Sequence, residues 1–261
     1  MHSKSFILPR NFSLTWSKTK FHCGVFGLIA MSLVSSSSLQ NCDSCDTKEI
    51  RYESKSIAGW TLFIHEKLLE NQLEKTTQAI DLLAAQLEEI VRVVPPSAMV
   101  ELRKVQLWMS PEYPRTQPRA EYHPGENWLR ENHRNPEMVK GVEFTNVAIF
   151  EKETKRMPNF ALHELAHAYH DRVLQDGFQN QELRDLYAQA IKEGKYERVE
   201  QRFGDGRSEN TRAYAMTNSQ EYFAECSEAY FSNNDFFPFD RKQLEKHDPR
   251  MFELLGRLWG K

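Results

Sequence analysis

The chain has 261 residues, room for one domain with a leader, and is 27% charged and 40% hydrophobic, an ordinary globular composition. Its net charge is −3; the first 42 residues carry Lys4, Arg10, Lys18 and Lys20 and no acid, so the remainder stands at −7. That balance, with no basic patch, excludes nucleic acid as an expected partner.

The leader comes first. A basic stretch precedes the apolar run Cys23–Val34 of about 12 residues, followed by Ser35–Ser38. Basic, apolar and small-residue zones in that order define a secretory signal. Such a run is short of the ~20 residues that span a bilayer. Residues 1–40 are therefore read as a signal peptide, with an acid-poor, Ser-rich mitochondrial transit peptide as the alternative. The mature chain is expected to be secreted or periplasmic, without stable membrane insertion. Cys42 and Cys45 form a C-x-x-C with no second pair to build a zinc site, so a local disulfide is expected. Cys226 is expected to be a small buried hydrophobe on a helix.

Residues 41–55 read as a polar linker and 56–261 as one α+β domain. Ile57–Leu69 mixes β-branched and aromatic residues around Gly59-Trp60, as a strand or hairpin does. Glu70–Val94 has helical apolar spacing (Ile80, Leu83, Leu87, Ile90, Val94) and ends at Pro95-Pro96. Val105–Met109 reads as a short buried strand. Residues 110–141 are rich in Pro, Arg, Tyr and Asn and read as an irregular loop that packs down through Trp128 and Leu129. Within it, His123 reads as a loop histidine. Val142–Phe150 reads as a strand and Glu151–Met157 as a charged turn. Three helices follow at Gln181–Lys192, Ser219–Phe231 and Asp248–Trp259, with residues 194–210 a charged, solvated loop. The Ser219–Phe231 helix is expected to have one apolar and one acidic face.

Between the turn and those helices stands His163-Glu-Leu-Ala-His167. At about 100° per residue, His163 and His167 lie roughly 40° apart on one helical face. Two imidazoles so placed can both reach one ion at roughly 2.0–2.1 Å, while Glu164 can reach a water on it. Helix formers flank the run, and Pro158-Asn159 supplies a start signal. This is the HExxH pattern of two zinc ligands and a general base. A strand just before such a helix could hold an extended peptide over the metal if it lay at a sheet edge. A catalytic zinc needs a third protein ligand. The metzincin turn is absent, because His170 stands where Gly is required and Val173 where the third His belongs. His170 shares the face of His163 but lies about 10 Å further along the axis. Glu221, on the Ser219–Phe231 helix, is the better candidate. Glu225, four residues on, could orient a ligand histidine from behind. The competing reading is a solvated acidic face shared with Glu228.

His163-Glu-Leu-Ala-His167, Tyr214-Ala-Met-Thr-Asn218 and Glu221-Tyr-Phe-Ala-Glu225 together resemble the catalytic domain of the anthrax lethal factor family of zinc metallopeptidases. The resemblance spans roughly residues 140–260. Ala166 replaces a glycine of lethal factor, and the chain has no room for that toxin's delivery domains. The resemblance implies a zincin-like α+β domain: a small mixed sheet, an active-site helix and a following helix carrying the third ligand. It implies one Zn2+ per chain on His163, His167 and Glu221, with Glu164 as base. It also implies that Tyr214 donates to the oxyanion, and that the partner is a peptide or protein substrate. Two alternatives stay open: a metal-bound extracellular binding module without catalysis, against which the intact Glu164 argues, and a zinc amidase acting on a cell-wall amide.

Overall fold

The computed structural model describes residues 51–260; the expected leader and the Cys42/Cys45 pair lie outside the described residues. The fold opens with a hairpin of β1 (Tyr52–Ile57) and β2 (Trp60–His65). Ala58 and Gly59 close it at φ 47° and 92°, the two positive values that a two-residue type I′ turn requires. β1 therefore begins inside the segment expected to be a linker. Its Glu53–Ser56 are exposed, which explains why a real edge strand reads as polar. Leu68 and Leu69, expected in the hairpin, belong instead to a short helix, α1 (Glu66–Asn71).

α2 (Leu73–Val93) buries Ala79, Ile80, Leu83, Leu87 and Ile90 at helical spacing, as expected. Pro96 then opens α3 (Pro96–Leu102) at a position where its missing N–H costs nothing. β3 (Leu107–Met109) is fully buried. The stretch expected as an irregular loop contains an edge strand, β4 (Ala120–Tyr122), and a helix, α4 (Glu126–Glu131). β5 (Val142–Phe144) is shorter than expected, and the charged turn is a helix, α5 (Phe150–Arg156), closed by the Lys155–Glu151 ion pair one turn apart.

The sheet runs β1-β2-β3-β5-β4, with β2, β3 and β5 parallel and both outer strands antiparallel. The strand before the HExxH helix, which the sequence left as either edge or interior, is thus interior. β4 is the edge on that side, and it packs against the helix that carries the HExxH run. Behind β5 the polar segment is tied down by one acid. Glu143 is fully buried and accepts from Arg134 at 2.7 Å and Tyr113 at 2.8 Å, with His123 Nε2 at 3.0 Å. Burial alone would raise its carboxyl, but His123, Ser110 and Tyr113 outweigh it and hold it at about 2.

The rest of the described chain is α6 (Phe160–Arg172), α7 (Gln181–Glu193), the hairpin β6 (Val199–Arg202) and β7 (Ser208–Thr211), α8 (Ser219–Phe231), α9 (Arg241–His247) and α10 (Pro249–Leu258). The expected solvated loop at 194–210 is this hairpin. Its tip presses onto the end of α5: a Cβ added to Gly204, which has φ 72°, would stand 2.4 Å from the Lys155 carbonyl. α8 has no wet acidic face, because Tyr222 through Phe231 are all buried. α6 and α8 pack side by side and share a stack in which Trp259 meets Tyr169 at 4.1 Å and Phe223 at 5.7 Å.

The start of α6 is fixed by the expected signal. Asn159 Oδ1 accepts from Leu162 N at 3.1 Å, and its Nδ2 donates to the Gln86 carbonyl at 3.1 Å. Gln86 Oε1 in turn accepts from Ala161 N at 3.0 Å. Helix capping and docking onto α2 thus set the rotation of α6. Asn159→Ala is expected to cost about 1–2 kcal/mol in urea unfolding, at the upper end because the site is buried.

Candidate metal centre

α6 presents His163 and His167 one turn apart, and α8 brings Glu221 to meet them. Asn218 caps α8 by accepting from Glu221 N at 2.9 Å, which places Glu221 in the first turn. A glutamate there commonly folds back onto its own cap; here the carboxylate reaches across to α6. His163 Nε2 lies 3.1 Å from His167 Nε2 and 3.1 Å from Glu221 Oε2, and His167 Nε2 lies 3.2 Å from that oxygen. Ligand atoms at about 2.0–2.1 Å from a tetrahedral zinc lie roughly 3.3–3.4 Å apart. The three atoms form a near-equilateral triangle of almost that edge.

The donor chemistry of the triangle fits a cation. His163 Nδ1 faces Glu228 Oε1 at 2.5 Å, which favours the proton on Nδ1 and turns the Nε2 lone pair into the triangle. Two imidazole nitrogens and a carboxylate oxygen then converge in a buried place. The titration of the groups carries the same message. Burial works against a charged His163, yet Glu228 and Glu221 outweigh it and raise its pKa well above the usual value. Burial works against ionised Glu221, yet His163 and His167 hold it well below the carboxylate range. The site favours positive charge, which a divalent ion bound by His163, His167 and Glu221 would supply.

Glu225, expected behind a histidine of the pair, lies 3.7 Å from His163 Nδ1 and also accepts from Asn234 at 3.2 Å. The carboxylate that grips the ring is Glu228, assigned by the competing sequence reading to a solvated face. It is 0% exposed. Its spacing from Glu221, seven residues or two turns, placed it on the right side of α8; what hid it was the default that a helical glutamate faces water. Burial raises both carboxyls, Glu225 further because Glu228 lies beside it.

Glu164 points to the sheet, where its Oε2 accepts from the main-chain N of Tyr122 on β4 at 2.8 Å. Tyr214 sits in a single turn before α8, half exposed, with its ring 6.5 Å from that of His163. Burial raises its phenol, so it keeps its proton at neutral pH. A cleft of about 690 Å³ runs over the triangle between β4 and the β6 hairpin, with Tyr122, Phe178, Met157 and Phe236 among its apolar walls. His123 belongs to the buried Glu143 cluster behind the sheet. His170 lies in the core between Phe178 and Phe223, where burial, followed by His167, lowers its pKa to about 4.

A mixed sheet packed on a helix that carries HExxH, with an acidic helix alongside, defines the zincin-like metallopeptidases. Residues 125–258 match the model of the family "Anthrax toxin lethal factor, N- and C-terminal domain", and the chain belongs to that family. It is accordingly a zinc metallopeptidase of α+β fold. Among solved structures, the PRO-PRO endopeptidase PPEP-2 from Paenibacillus alvei is similar at 18% identity and a TM-score of 0.40, over 70% of this chain and 90% of that one. No curated protein matches.

Removing Glu228 would leave the His163 ring without its Nδ1 partner. Glu228→Ala is expected to weaken zinc binding about 10–100-fold, the usual cost of losing such a partner, and Glu225→Ala by less. Glu221→Ala is expected to lose zinc altogether. Zinc competition titrations on the three variants rank them.

Proposed function

We propose that the chain is an endopeptidase that hydrolyses a peptide bond of an extended substrate held in the cleft. His163, His167 and Glu221 hold one zinc, and Glu164 acts as general base. The observation that carries this reading is the triangle of ligand atoms, 3.1–3.2 Å on each side, opening on a cleft beside Glu164. When bound, zinc polarises the substrate carbonyl and brings the pKa of its water to about 7.

The chain's own residues do the rest. Bonds at residues 119 and 123 tie alternate positions of β4 to β5, which turns the main chain of Ala120 and Tyr122 to the outer edge. Tyr122 N is taken by Glu164, so Ala120 offers the groups that pair with a substrate strand. Glu164, with one oxygen held by β4, takes the proton of the attacking water through the other. It then delivers that proton to the leaving amine. Tyr214 donates its hydroxyl proton in a hydrogen bond to the oxyanion, an interaction whose loss elsewhere costs about 2.7–4 kcal/mol.

The leader reading supports export of the mature chain to the cell exterior or periplasm, with the mitochondrion as the alternative. Among the described residues no helix is long and apolar enough to cross a membrane.

Glu164→Gln is expected to bind one zinc per chain and to lose hydrolysis of peptides from a proteome-derived library, as the wild-type protein does on treatment with chelator. Equal activity in the variant would remove Glu164 from its role. Cleavage of a cell-wall amide with no cleavage of peptides would move the chain to the amidase reading.

A further inference from the structure

Tyr122 is held at two points by the same helix. Its main-chain N donates to Glu164 Oε2 at 2.8 Å, and its hydroxyl donates to Asp171 Oδ2 at 2.6 Å. Glu164 and Asp171 are seven residues apart, two turns of α6, and therefore on one face. Asp171 is fixed from a third side by Lys140 Nζ at 2.5 Å. Lys140 also donates its main-chain N to the carbonyl of His123, the residue after β4. The ring of Tyr122 is buried and meets Phe178 edge-on.

These contacts have an unequal purpose. β4 is only three residues long and joins the sheet on one side alone. Three ladder pairs do not fix its distance from α6, yet that distance sets where Glu164 Oε2 is pinned. The Tyr122 hydroxyl bond closes the gap at the far end of the helix face and leaves the main-chain N to hold Glu164 at the near end. We propose that Tyr122 is a positioning residue: its hydroxyl, anchored on Asp171, holds edge strand β4 at the distance at which its N–H orients Glu164. The inference rests on the reading of Glu164 as the base. It makes the strand that receives the substrate and the group that activates water one mechanical unit. The Lys140–Asp171 pair contributes less, because Lys140 is 44% exposed and an ion pair there is worth little.

The test uses the full-length, zinc-loaded protein with Tyr122→Phe, Asp171→Asn and Glu164→Ala. The substrate is a quenched fluorogenic peptide that the wild-type protein cleaves. Tyr122→Phe is expected to lower kcat about tenfold, equivalent to one lost hydrogen bond's orientation, with KM within about twofold and one zinc still bound. Asp171→Asn keeps an oxygen acceptor for the hydroxyl and is expected to retain at least half of wild-type kcat. In hydrogen–deuterium exchange, Glu164→Ala is expected to speed exchange of the Tyr122 amide about tenfold with exchange in β3 and β5 unchanged. Tyr122→Phe that loses thermal stability but keeps wild-type kcat would overturn the proposal. So would a loss in Asp171→Asn equal to that in Tyr122→Phe, or a Tyr122 amide unmoved by Glu164→Ala. If the wild-type protein cleaves no peptide, the endopeptidase reading fails, and the exchange arm still decides whether Glu164 and β4 are joined.

Discussion

His163 is buried with a carboxylate at each ring nitrogen, Glu221 at Nε2 and Glu228 at Nδ1, and the surrounding architecture follows from that arrangement. Desolvating three titratable groups is costly unless their charges are matched. α6 and α8 concentrate acids around two imidazoles: Glu164, Glu221, Glu225 and Glu228 all lie on the two helices that enclose the site. Such a cluster is electrostatically short of positive charge, which is what a divalent ion provides. On the Nδ1 side, away from the cleft, the ring is held by a 2.5 Å contact to Glu228 rather than by solvent.

The rest of the fold can be understood as what keeps the two helices and one strand in place. Asn159 and Gln86 fix the rotation of α6 against α2, and Asn218 fixes the start of α8. Trp259 fills the space between Tyr169 and Phe223, joining the two helices at their far ends. On the other side, the buried Glu143 cluster ties down a polar segment that otherwise has little apolar surface to bury. β4, carried by that segment, then presents Tyr122 to α6. The proposed ligands, base and substrate edge thus come from three separate pieces of chain, each with its own local anchor.

Much of this is legible in the residues. α2, α6, α7 and α8 announce themselves because long amphipathic or capped helices have a period to read. The HExxH spacing needs only the geometry of one turn, and the need for a third ligand makes Glu221 on α8 a candidate, which the structure brings within 3.2 Å of both histidines. What escapes has a physical reason in each instance. β4 has three residues, too few for a period of two, and it sits among prolines and arginines. The β6–β7 hairpin and α5 are charged because they are exposed, which makes them look like loops. Glu228 is legible by spacing but not by burial: one sequence cannot show that α6 packs on that side of α8 and sets the His163 ring against the carboxylate. Whether β5 lies at an edge or inside the sheet is not legible either, because its interior position is set by topology rather than by composition.

The central claim is that the triangle of His163, His167 and Glu221 holds a catalytic zinc. X-ray absorption at the zinc edge, on the purified full-length chain, tests it most directly. The account predicts one zinc per chain in a four-coordinate shell of nitrogen and oxygen at about 2.0–2.1 Å, with two imidazoles. A shell containing sulfur at about 2.3 Å, or no stoichiometric metal, would contradict it.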